Sequence, residues 1–427
     1  MLTLSDMKKI LFLLFLPFLL CTGARARTYR ELLQDDFSRA AWVYHIYEAP
    51  DAGPGKAPQG FKPFYISHYG RHGSRYHTSA GFFDRCIPDL CRADSLGLLT
   101  DDGKRLLNHL EELKKAHEGM YGFLTRVGAA QHREIAQRMY DNFPEVFNRK
   151  DRPEVRCISS PIQRCIQSMA NFCVSLGSNA GGLSFTLDAG DKYYGCLAQQ
   201  PLGAAFDRRA SAITDSIILA TFDAARLMAK TFTDTSAAHK ILGREPALFF
   251  NAVFTCAAIT ANLEADLEDF LPYFNFEEAL LMSSAENCRL YAYFFDSPEF
   301  PEQIDNLGRA ILRDIVEKAD AAVAGNGVAA DLRFGHDSGL SPLLGFLGVD
   351  GNDWTGPIDR SADHWFCCRE MCMASNLQMI FYRNRSGEVL VRLLKNEREA
   401  TIPALTAAEG GFYRWQDLRA HFAELLR

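Results

Sequence analysis

The loop RHGSR, which follows the apolar stretch FKPFYI, concentrates the side chains that phosphoryl transfer requires. A phosphate ester carries negative oxygens, and arginine neutralises them with paired N–H bonds and a charge that it cannot lose. Arg71 and Arg75 could act in this way. Between them, a neutral imidazole at His72 is a competent nucleophile, and Gly73 lets the backbone approach a ligand closely. Taken alone, the loop could equally be a solvated basic patch.

Two further segments supply partners for such a site. SSPIQR places Arg164 in the first turn of a predicted helix, where backbone N–H groups and the helix dipole also attract an anion. GHDSG places His336 and Asp337 after a predicted strand, and a carboxylic acid there could protonate a departing oxygen. Each segment alone fits a surface salt bridge or a turn. Because all three lie just after a strand or at a helix start, where α/β sheets bind ligands, the joint interpretation is favoured.

The elements around these segments predict an α/β fold. FKPFYI, PEVRCISS and DLRFG are predicted strands, and helices are predicted to begin at the capping residues Thr100, Thr125 and Ser160. Residues from about 200 to 320 form a predicted helical block, and LQMIFYRNRSGEVLVRLLKNE alternates like a hairpin with its turn at 384–387. Together they predict a central, mostly parallel sheet flanked by helices, with a helical domain inserted in it.

The same pattern gives predicted boundaries along the chain. We expect a signal peptide over residues 1–26, followed by an α/β domain that carries the candidate phosphate site and is built from residues 27–185 and 321–427. The inserted, mainly helical domain is expected over residues 186–320.

The first 26 residues have the pattern of an export signal. Lys8 and Lys9 precede the apolar run ILFLLFLPFLL and a small-residue cleavage site that ends at Ala26. The apolar run is too short to span a bilayer comfortably, so no stable membrane span is expected after cleavage. Leu20 is larger than the residue that usually precedes a lipoprotein cysteine, which disfavours a lipid anchor at Cys21. We therefore expect a periplasmic or secreted protein.

Composition narrows the choice of partner. The chain is 48% hydrophobic and 23% charged, without repeats, which is typical of a globular protein. Its net charge of −7 argues against nucleic-acid binding. It has no C-x-x-C, H-E-x-x-H, G-x-S-x-G or P-loop motif, so we expect neither a metal nor a cofactor. The expected partner is a small phosphate ester, and the sequence does not determine the oligomeric state.

The three segments, in this order and spacing, resemble the histidine acid phosphatase branch of the histidine phosphatase superfamily. LTRVGAAQH also resembles a segment that this family carries between its first two motifs. More narrowly, RHGSRY, SNLQMIFYRN and VRLLKNEREATIP resemble the multiple inositol polyphosphate phosphatases, a phytase-like group. The resemblance covers nearly all of the chain after residue 26. It implies metal-independent hydrolysis of inositol polyphosphates such as phytate.

The resemblance also implies a role for each site residue. His72 would accept the phosphoryl group as phosphohistidine, and Asp337 would be the proton donor. The residues that would hold the phosphate are Arg71, Arg75, Arg164 and His336.

Three positions leave the substrate open. His77 stands where the family usually has proline, so we expect either a looser loop or a contact between His77 and the substrate. Multiple inositol polyphosphate phosphatases commonly have His-Ala-Glu where this chain has His336, Asp337 and Ser338. The His-Asp form is typical of other acid phosphatases and phytases. Lys192 is a candidate for the pocket rim, where phytases often place basic residues.

Two other functions remain as alternatives at this point. The first is a broad-specificity acid phosphatase for sugar phosphates or nucleotides. The second is a non-catalytic phosphate-binding protein, and the intact His72, His336 and Asp337 argue against it.

Overall fold

A computed structural model describes residues 27–151, 153–198, 203–264, 267–295, 297–300 and 305–427. The signal peptide expected over residues 1–26 lies outside these residues. None of the helices within the described ranges is long and apolar enough to cross a membrane.

One mixed sheet holds every strand of the described residues. The strands are β1 Lys62–Arg71, β2 Glu154–Ser159, β3 Ser184–Ala189, β4 Val328–Gly335, β5 Asn376–Arg383, β6 Val389–Lys395, β7 Arg398–Ala400 and β8 Tyr413–Arg414. Their order is β3-β2-β4-β1-β5-β6-β7, with β8 paired to β6. The first four strands are mutually parallel, whereas β5 to β8 pair antiparallel. The parallel centre and the predicted β5–β6 hairpin are therefore confirmed.

Helices account for most of the remaining structure. They are α1 Tyr29–Asp35, α2 Ile87–Ser95, α3 Asp101–His117, α4 Arg126–Asn142, α5 Pro144–Phe147, α6 Gln163–Asn179, α7 Tyr194–Leu197, α8 Ala204–Thr221, α9 Ala225–Thr231, α10 Thr235–Ile241, α11 Pro246–Ala257, α12 Phe276–Phe294, α13 Asp305–Val323, α14 Asp337–Leu347, α15 Cys367–Glu370 and α16 Trp415–Leu425.

Both faces of the sheet are covered, because successive side chains of a strand point to opposite sides. Tyr65 and Tyr69 of β1 lie in the core formed with α13, α14 and α16. Ile66, between them, lies in a separate core formed with α4 and α6. This arrangement is the predicted sheet flanked by helices.

A third core lies among the helices, and it draws on several parts of the chain. Its buried residues come from segments 29–44, 83–113, 206–300 and 358–373. The helical layer is therefore not built from the predicted insert alone. Moreover, β3 crosses the domain boundary that the sequence predicts at residue 185, since it runs from Ser184 to Ala189.

Two of the three predicted helix starts are confirmed. The Thr100 hydroxyl accepts a hydrogen bond from Gly103 N, and the Thr125 hydroxyl accepts one from Gly128 N. The predicted cap at Ser160 is wrong, because α6 begins at Gln163. Ser160 N donates to Phe334 O at 3.1 Å, so its backbone still belongs to the edge of the sheet rather than to the helix.

Candidate active site

The first and third predicted segments meet because β1 and β4 end side by side. The parallel register pairs Arg71 with Gly335, so the next residue of each strand emerges at the same edge of the sheet. His72 N donates to Gly335 O at 2.9 Å. The centroids of the His72 and His336 rings lie 5.6 Å apart. The carboxyl ends of these two strands thus form the floor of one site.

The second segment joins the site through the first turn of α6. Arg164 Nη2 lies 3.3 Å from His336 Nδ1, and Nη1 donates to Gly122 O at 3.5 Å. Because a guanidinium can only donate, His336 Nδ1 is the acceptor. The other ring nitrogen, Nε2, then carries the proton and donates to Ser160 Oγ at 3.0 Å. All three predicted segments are therefore brought together.

His336 is neutral in this arrangement. Burial, followed by the positive charge of Arg164, lowers its pKa to about 3. Both of its ring nitrogens face protein partners, which are Arg164 at Nδ1 and Ser160 at Nε2. Direct binding of phosphate by His336 stays a prediction.

His72 presents the nitrogen that a nucleophile needs. Its Nδ1 lies 2.9 Å from Gly73 O, and a carbonyl oxygen can only accept, so Nδ1 carries the proton. The lone pair of Nε2 is then free of a proton, and this atom bonds to none of the described residues. Burial, together with the charges of Arg164 and Arg71, lowers the pKa of His72 well below its usual value. The imidazole thus stays neutral in acid.

As well as burial, three guanidinium groups, those of Arg164, Arg71 and Arg75, act on this imidazole, and each lowers its pKa. Among the residues that the structure describes, no acceptor lies within hydrogen-bonding distance of Nε of Arg71, Arg75 or Arg164. The pKa of Arg164 is lowered, first by burial and then by the charge of Arg75, as expected for crowded cations. Buried donors of this kind ordinarily have acceptors. An oxyanion would supply them and would also relieve the repulsion.

Arg71 is fully buried and is fixed from two sides. Its Nη1 donates to Val43 O at 3.0 Å and also to Met371 O. Its Nη2 forms an ion pair with Asp337 Oδ2 at 2.8 Å. The two backbone carbonyls orient the guanidinium, and the ion pair joins it to the predicted proton donor.

Asp337 is the first residue of α14 and retains 23% side-chain exposure. Its Oδ1 accepts a hydrogen bond from Ser338 N at 2.8 Å. Burial raises the pKa of Asp337, but the positive charge of Arg71 above all, together with that of Arg75, outweighs the effect of burial, so the net pKa is lowered. Asp337 is therefore an anion in this arrangement, and it needs a proton before it can act as a general acid.

The first turns of α4 hold the RHGSR loop through contacts that the sequence does not predict residue by residue. Ser74 N donates to Gln131 Oε1 at 2.8 Å, and Gln131 Nε2 donates to Ser74 Oγ at 3.0 Å. Thr125 Oγ1 donates to Ser74 O at 3.1 Å. The segment LTRVGAAQH contains both Thr125 and Gln131. The sequence therefore pointed to this segment, but it did not show that these two residues hold Ser74.

Two glycines let the loop and α4 touch backbone to backbone. A Cβ at Gly128 would lie 2.2 Å from Ser74 O, and a Cβ at Gly73 would lie 2.5 Å from Gly128 O. Ser74 O cannot move without displacing the loop that carries His72, and Gly128 O cannot move without displacing α4.

Gly128→Ala is expected to damage the site more than the fold. The added methyl group must push Ser74 away, which should lower kcat/KM by about tenfold or more and destabilise the protein by about 1–3 kcal/mol. Gly181→Ala is the matched control, because a Cβ there meets no atom within 4 Å. Steady-state kinetics and urea unfolding of both variants check this. Equal kinetics in the two variants would contradict the packing argument.

His77 lies in the core and not at the pocket surface. Its side chain has no exposure, and its ring stacks on Phe82 with centroids 4.3 Å apart. A ring enclosed in this way has no edge left for a ligand. The expectation that His77 contacts the substrate is therefore wrong, and the reason is aromatic packing around the loop.

Lys192 lies on the surface beside a cleft of about 590 Å³ that Pro161, Ile162, Asp191, Tyr194 and Gly195 also line. This cleft adjoins the site, since the Tyr194 and His336 ring centroids are 6.2 Å apart. The Lys192 ammonium group is paired with the Asp188 carboxylate. The position suits a rim residue, but the charge is already balanced.

Comparison with known proteins gives matches among solved structures alone. No family model matches the chain, and neither does any curated protein sequence. The multiple inositol polyphosphate phosphatase of Bifidobacterium longum, solved with phosphate, has a TM-score of 0.76 at 20% identity, covering 91% of this chain and 98% of that one. The phytase from D. castellii has a TM-score of 0.70 at 16% identity, covering 92% and 86%.

A third structure, the Hafnia alvei phytase, has a TM-score of 0.53 at 12% identity and covers 87% of this chain and 98% of that one. These identities are low, and the coverage of both chains in each pair is high. The likeness extends over the sheet and the helical layer together. The resemblance inferred from sequence is thus confirmed at the level of the fold: this chain has the α/β fold of the multiple inositol polyphosphate phosphatases and phytases.

Proposed function

We propose that this protein is a phosphomonoesterase that works through a phosphohistidine at His72 and acts on inositol polyphosphates such as phytate. The observation that carries the proposal is the set of unpaired guanidinium N–H groups of Arg71, Arg75 and Arg164 around a neutral imidazole whose Nε2 is free. That geometry binds the oxygens of a phosphate and sets a nucleophile against its phosphorus. The shared fold with phosphatases supports the same assignment.

The first step transfers the phosphoryl group to the protein. Nε2 of His72 forms a bond to phosphorus while the bond from phosphorus to the ester oxygen breaks. The leaving oxygen takes the proton of Asp337. The arginines neutralise the charge on the three equatorial oxygens as the group moves between the two atoms.

In the second step Asp337, now a carboxylate, removes a proton from a water molecule that attacks phosphorus. The N–P bond breaks, inorganic phosphate leaves and Asp337 regains its proton. The same residue thus acts first as an acid and then as a base, as microscopic reversibility of the two transfers allows.

Substrate binding itself prepares Asp337. A phosphate that accepts hydrogen bonds from Arg71 competes with the 2.8 Å ion pair to Asp337 and places a second anion beside the carboxylate. Both changes favour the protonated acid. Asp337, whose pKa is lowered while it is paired with Arg71, would therefore take up its proton in the complex.

One observation favours the alternative of a broad-specificity phosphatase for sugar phosphates or nucleotides. A substrate with many phosphates needs several cations beyond those that hold the reacting group. Lys192 is balanced by Asp188, and Asp191 lines the same cleft, so this part of the rim is not basic. The substrate range thus depends on the other walls of the pocket.

Export remains part of the proposal. It is supported by the sequence pattern of residues 1–26, with Lys8 and Lys9 ahead of an apolar run. The expected location is the periplasm or the medium.

The test of the function is a panel of phosphate esters, measured by release of inorganic phosphate with a chelator present. It contains phytate, glucose 6-phosphate, a nucleoside monophosphate and p-nitrophenyl phosphate. The proposal requires phytate to have the highest kcat/KM, whereas comparable values across the panel would support the alternative. No release from any ester would contradict both and leave the phosphate-binding interpretation.

The pH dependence should differ between two kinds of ester. His72 stays neutral in acid, since burial and the neighbouring arginines lower its pKa, but Asp337 must carry a proton to expel an alkoxide. Because the pKa of Asp337 is lowered, its protonated fraction falls about tenfold per unit as pH rises above that pKa. The ratio of kcat/KM for an inositol monophosphate to that for p-nitrophenyl phosphate should therefore fall from about pH 4 to about pH 8. Each kcat/KM is first corrected for the ionised fraction of its own phosphate group, because the aryl ester loses its second proton at lower pH than the alkyl ester. A constant corrected ratio would contradict the role of Asp337.

A further inference from the structure

The enclosure around His77 is not explained by phosphoryl transfer. Besides the stack on Phe82, the ring lies 5.3 Å from His117, nearly parallel to it, and meets the edges or faces of Tyr44 and Phe83 at 5.4 and 5.6 Å. Neither ring nitrogen hydrogen-bonds to a side chain of the described residues. An imidazole that meets aromatic rings on several sides and no polar side chain behaves mainly as a flat packing element.

Tyr44 connects this core to the candidate active site. Its ring meets the ring of His77 at an angle of 89°, and the guanidinium of Arg75 lies over the Tyr44 ring at 5.3 Å from the centroid. Arg75 also donates from Nη1 to Tyr76 O at 3.0 Å. The Tyr44 ring and Tyr76 O thus together restrain the direction in which Arg75 points.

The backbone of His77 makes a separate connection. His77 O accepts from Gly122 N at 2.7 Å, and Gly122 O accepts from Arg164 Nη1 at 3.5 Å. This path does not involve the imidazole, so it should survive any replacement of the side chain. Substitutions at His77 thus isolate the path through Tyr44.

We propose that His77 is a positioning residue that holds Arg75 through the ring of Tyr44, and that it does so as an uncharged ring. The inference rests on the proposed function, because Arg75 matters here as a phosphate ligand. It also accounts for a histidine where the sequence resemblance leads one to expect proline: the position supplies an aromatic surface that proline lacks.

If the His77 ring must stay uncharged, the folded protein loses stability in acid. Four titratable or polar groups face His77: the imidazole of His117, the guanidinium of Arg75, the phenol ring of Tyr44 and the backbone of Cys256. None of these four groups is a carboxylate. Burial, followed by His117 and Arg75, lowers the pKa of His77 well below its usual value.

The sign of the effect on stability follows from this lowered pKa. The unfolded chain binds a proton at His77 below about pH 6.5, whereas the folded chain does not. Stability from this residue is therefore complete above about pH 6.5 and is lost as pH falls, by up to about tenfold in the folding equilibrium constant per unit.

The experiment compares His77→Phe, which keeps an uncharged ring, with His77→Leu, which keeps the volume but loses the aromatic surface. Calorimetry with inorganic phosphate at about pH 7.5 should give an affinity within about twofold of the wild type for His77→Phe. His77→Leu should bind about fivefold to tenfold more weakly. Urea unfolding from about pH 7.5 to about pH 5 should show a smaller acid loss for His77→Phe than for the wild type.

Each result decides the inference. Equal phosphate affinity in His77→Leu and the wild type would overturn the positioning role, and so would a His77→Phe protein as weak as His77→Leu. The same acid loss of stability in His77→Phe and the wild type would overturn the requirement for an uncharged ring. Absence of ester hydrolysis by the wild type would contradict the proposed function alone, since phosphate binding and unfolding need no turnover.

Discussion

Replacing His72 with alanine is expected to lower kcat by about 10⁴-fold or more on every phosphate ester, because the variant has no atom to receive the phosphoryl group. Nε2 of His72 is the unprotonated nitrogen of an imidazole whose pKa burial, Arg164, Arg71 and Arg75 all lower, whereas Nε2 of the neighbouring His336 is paired with Ser160 Oγ. The side chain is 2% exposed, so its removal should also cost about 1–2 kcal/mol of stability. Kinetics and unfolding of the same preparation separate the two effects.

His109→Ala is the matched control for this variant. His109 is also a buried histidine, stacked on Phe270 with centroids 4.5 Å apart, but it lies on α3 in the helical core. Its loss should cost comparable stability and leave kcat within about threefold. Turnover of His72→Ala near the wild-type level would contradict the nucleophilic role.

Replacing Asp337 with asparagine is expected to lower kcat/KM on phytate or an inositol monophosphate by about 10²–10⁴-fold. An inositol alkoxide is a poor leaving group and must be protonated as the P–O bond breaks. A nitrophenolate leaves readily without a proton. The loss on p-nitrophenyl phosphate should therefore be much smaller, and the comparison of the two esters is the measurement.

The control for Asp337→Asn must also break a carboxylate–arginine pair. Asp314→Asn does so, because Asp314 pairs with the buried Arg333 at 2.6 Å under the sheet. This variant should lose stability without a preference between the two esters. Equal losses on both esters in Asp337→Asn would mean that Asp337 positions Arg71, and the proton donor would have to be another group.

Local sequence patterns were sufficient to predict those features of the structure that depend on residues close together in the chain. Thr100 and Thr125 cap their helices as the sequence predicts, since a cap needs only the next three residues. His72, Arg164 and His336 converge because each follows a strand or opens a helix at one edge of a parallel sheet. The ion pair between Lys192 and Asp188 could also have been predicted from the sequence, because the two residues are only four positions apart.

What the sequence could not supply depends on contacts between distant segments. The place of His77 is set by Tyr44, Phe82 and His117, and no spacing in the chain shows that these rings surround it. Ser160 has the composition of a helix cap, yet the sheet ladder to Phe334 holds its backbone. In both cases a tertiary contact decided between two locally reasonable outcomes.

The ion pair between Arg71 and Asp337 is a further example. From the sequence, the pKa of Asp337 could move either way, because a bound phosphate raises it and the arginines lower it. The 2.8 Å contact shows that the arginine dominates in this arrangement. The proposed role of Asp337 as proton donor therefore requires it to take up a proton when the substrate binds, and no sequence motif indicates that step.

The central claim, that Nε2 of His72 carries the phosphoryl group, is tested most directly by trapping the intermediate. The protein is mixed with ³²P-labelled substrate, quenched in alkali within the first turnover and digested, and the labelled peptide is analysed for the isomer of phosphohistidine. Since Nδ1 of His72 donates to Gly73 O, the label should be acid-labile, alkali-stable and attached to Nε2 of His72, and it should be absent from His72→Ala. A label on Nδ1, on another residue, or a turnover that never labels the protein would contradict the account.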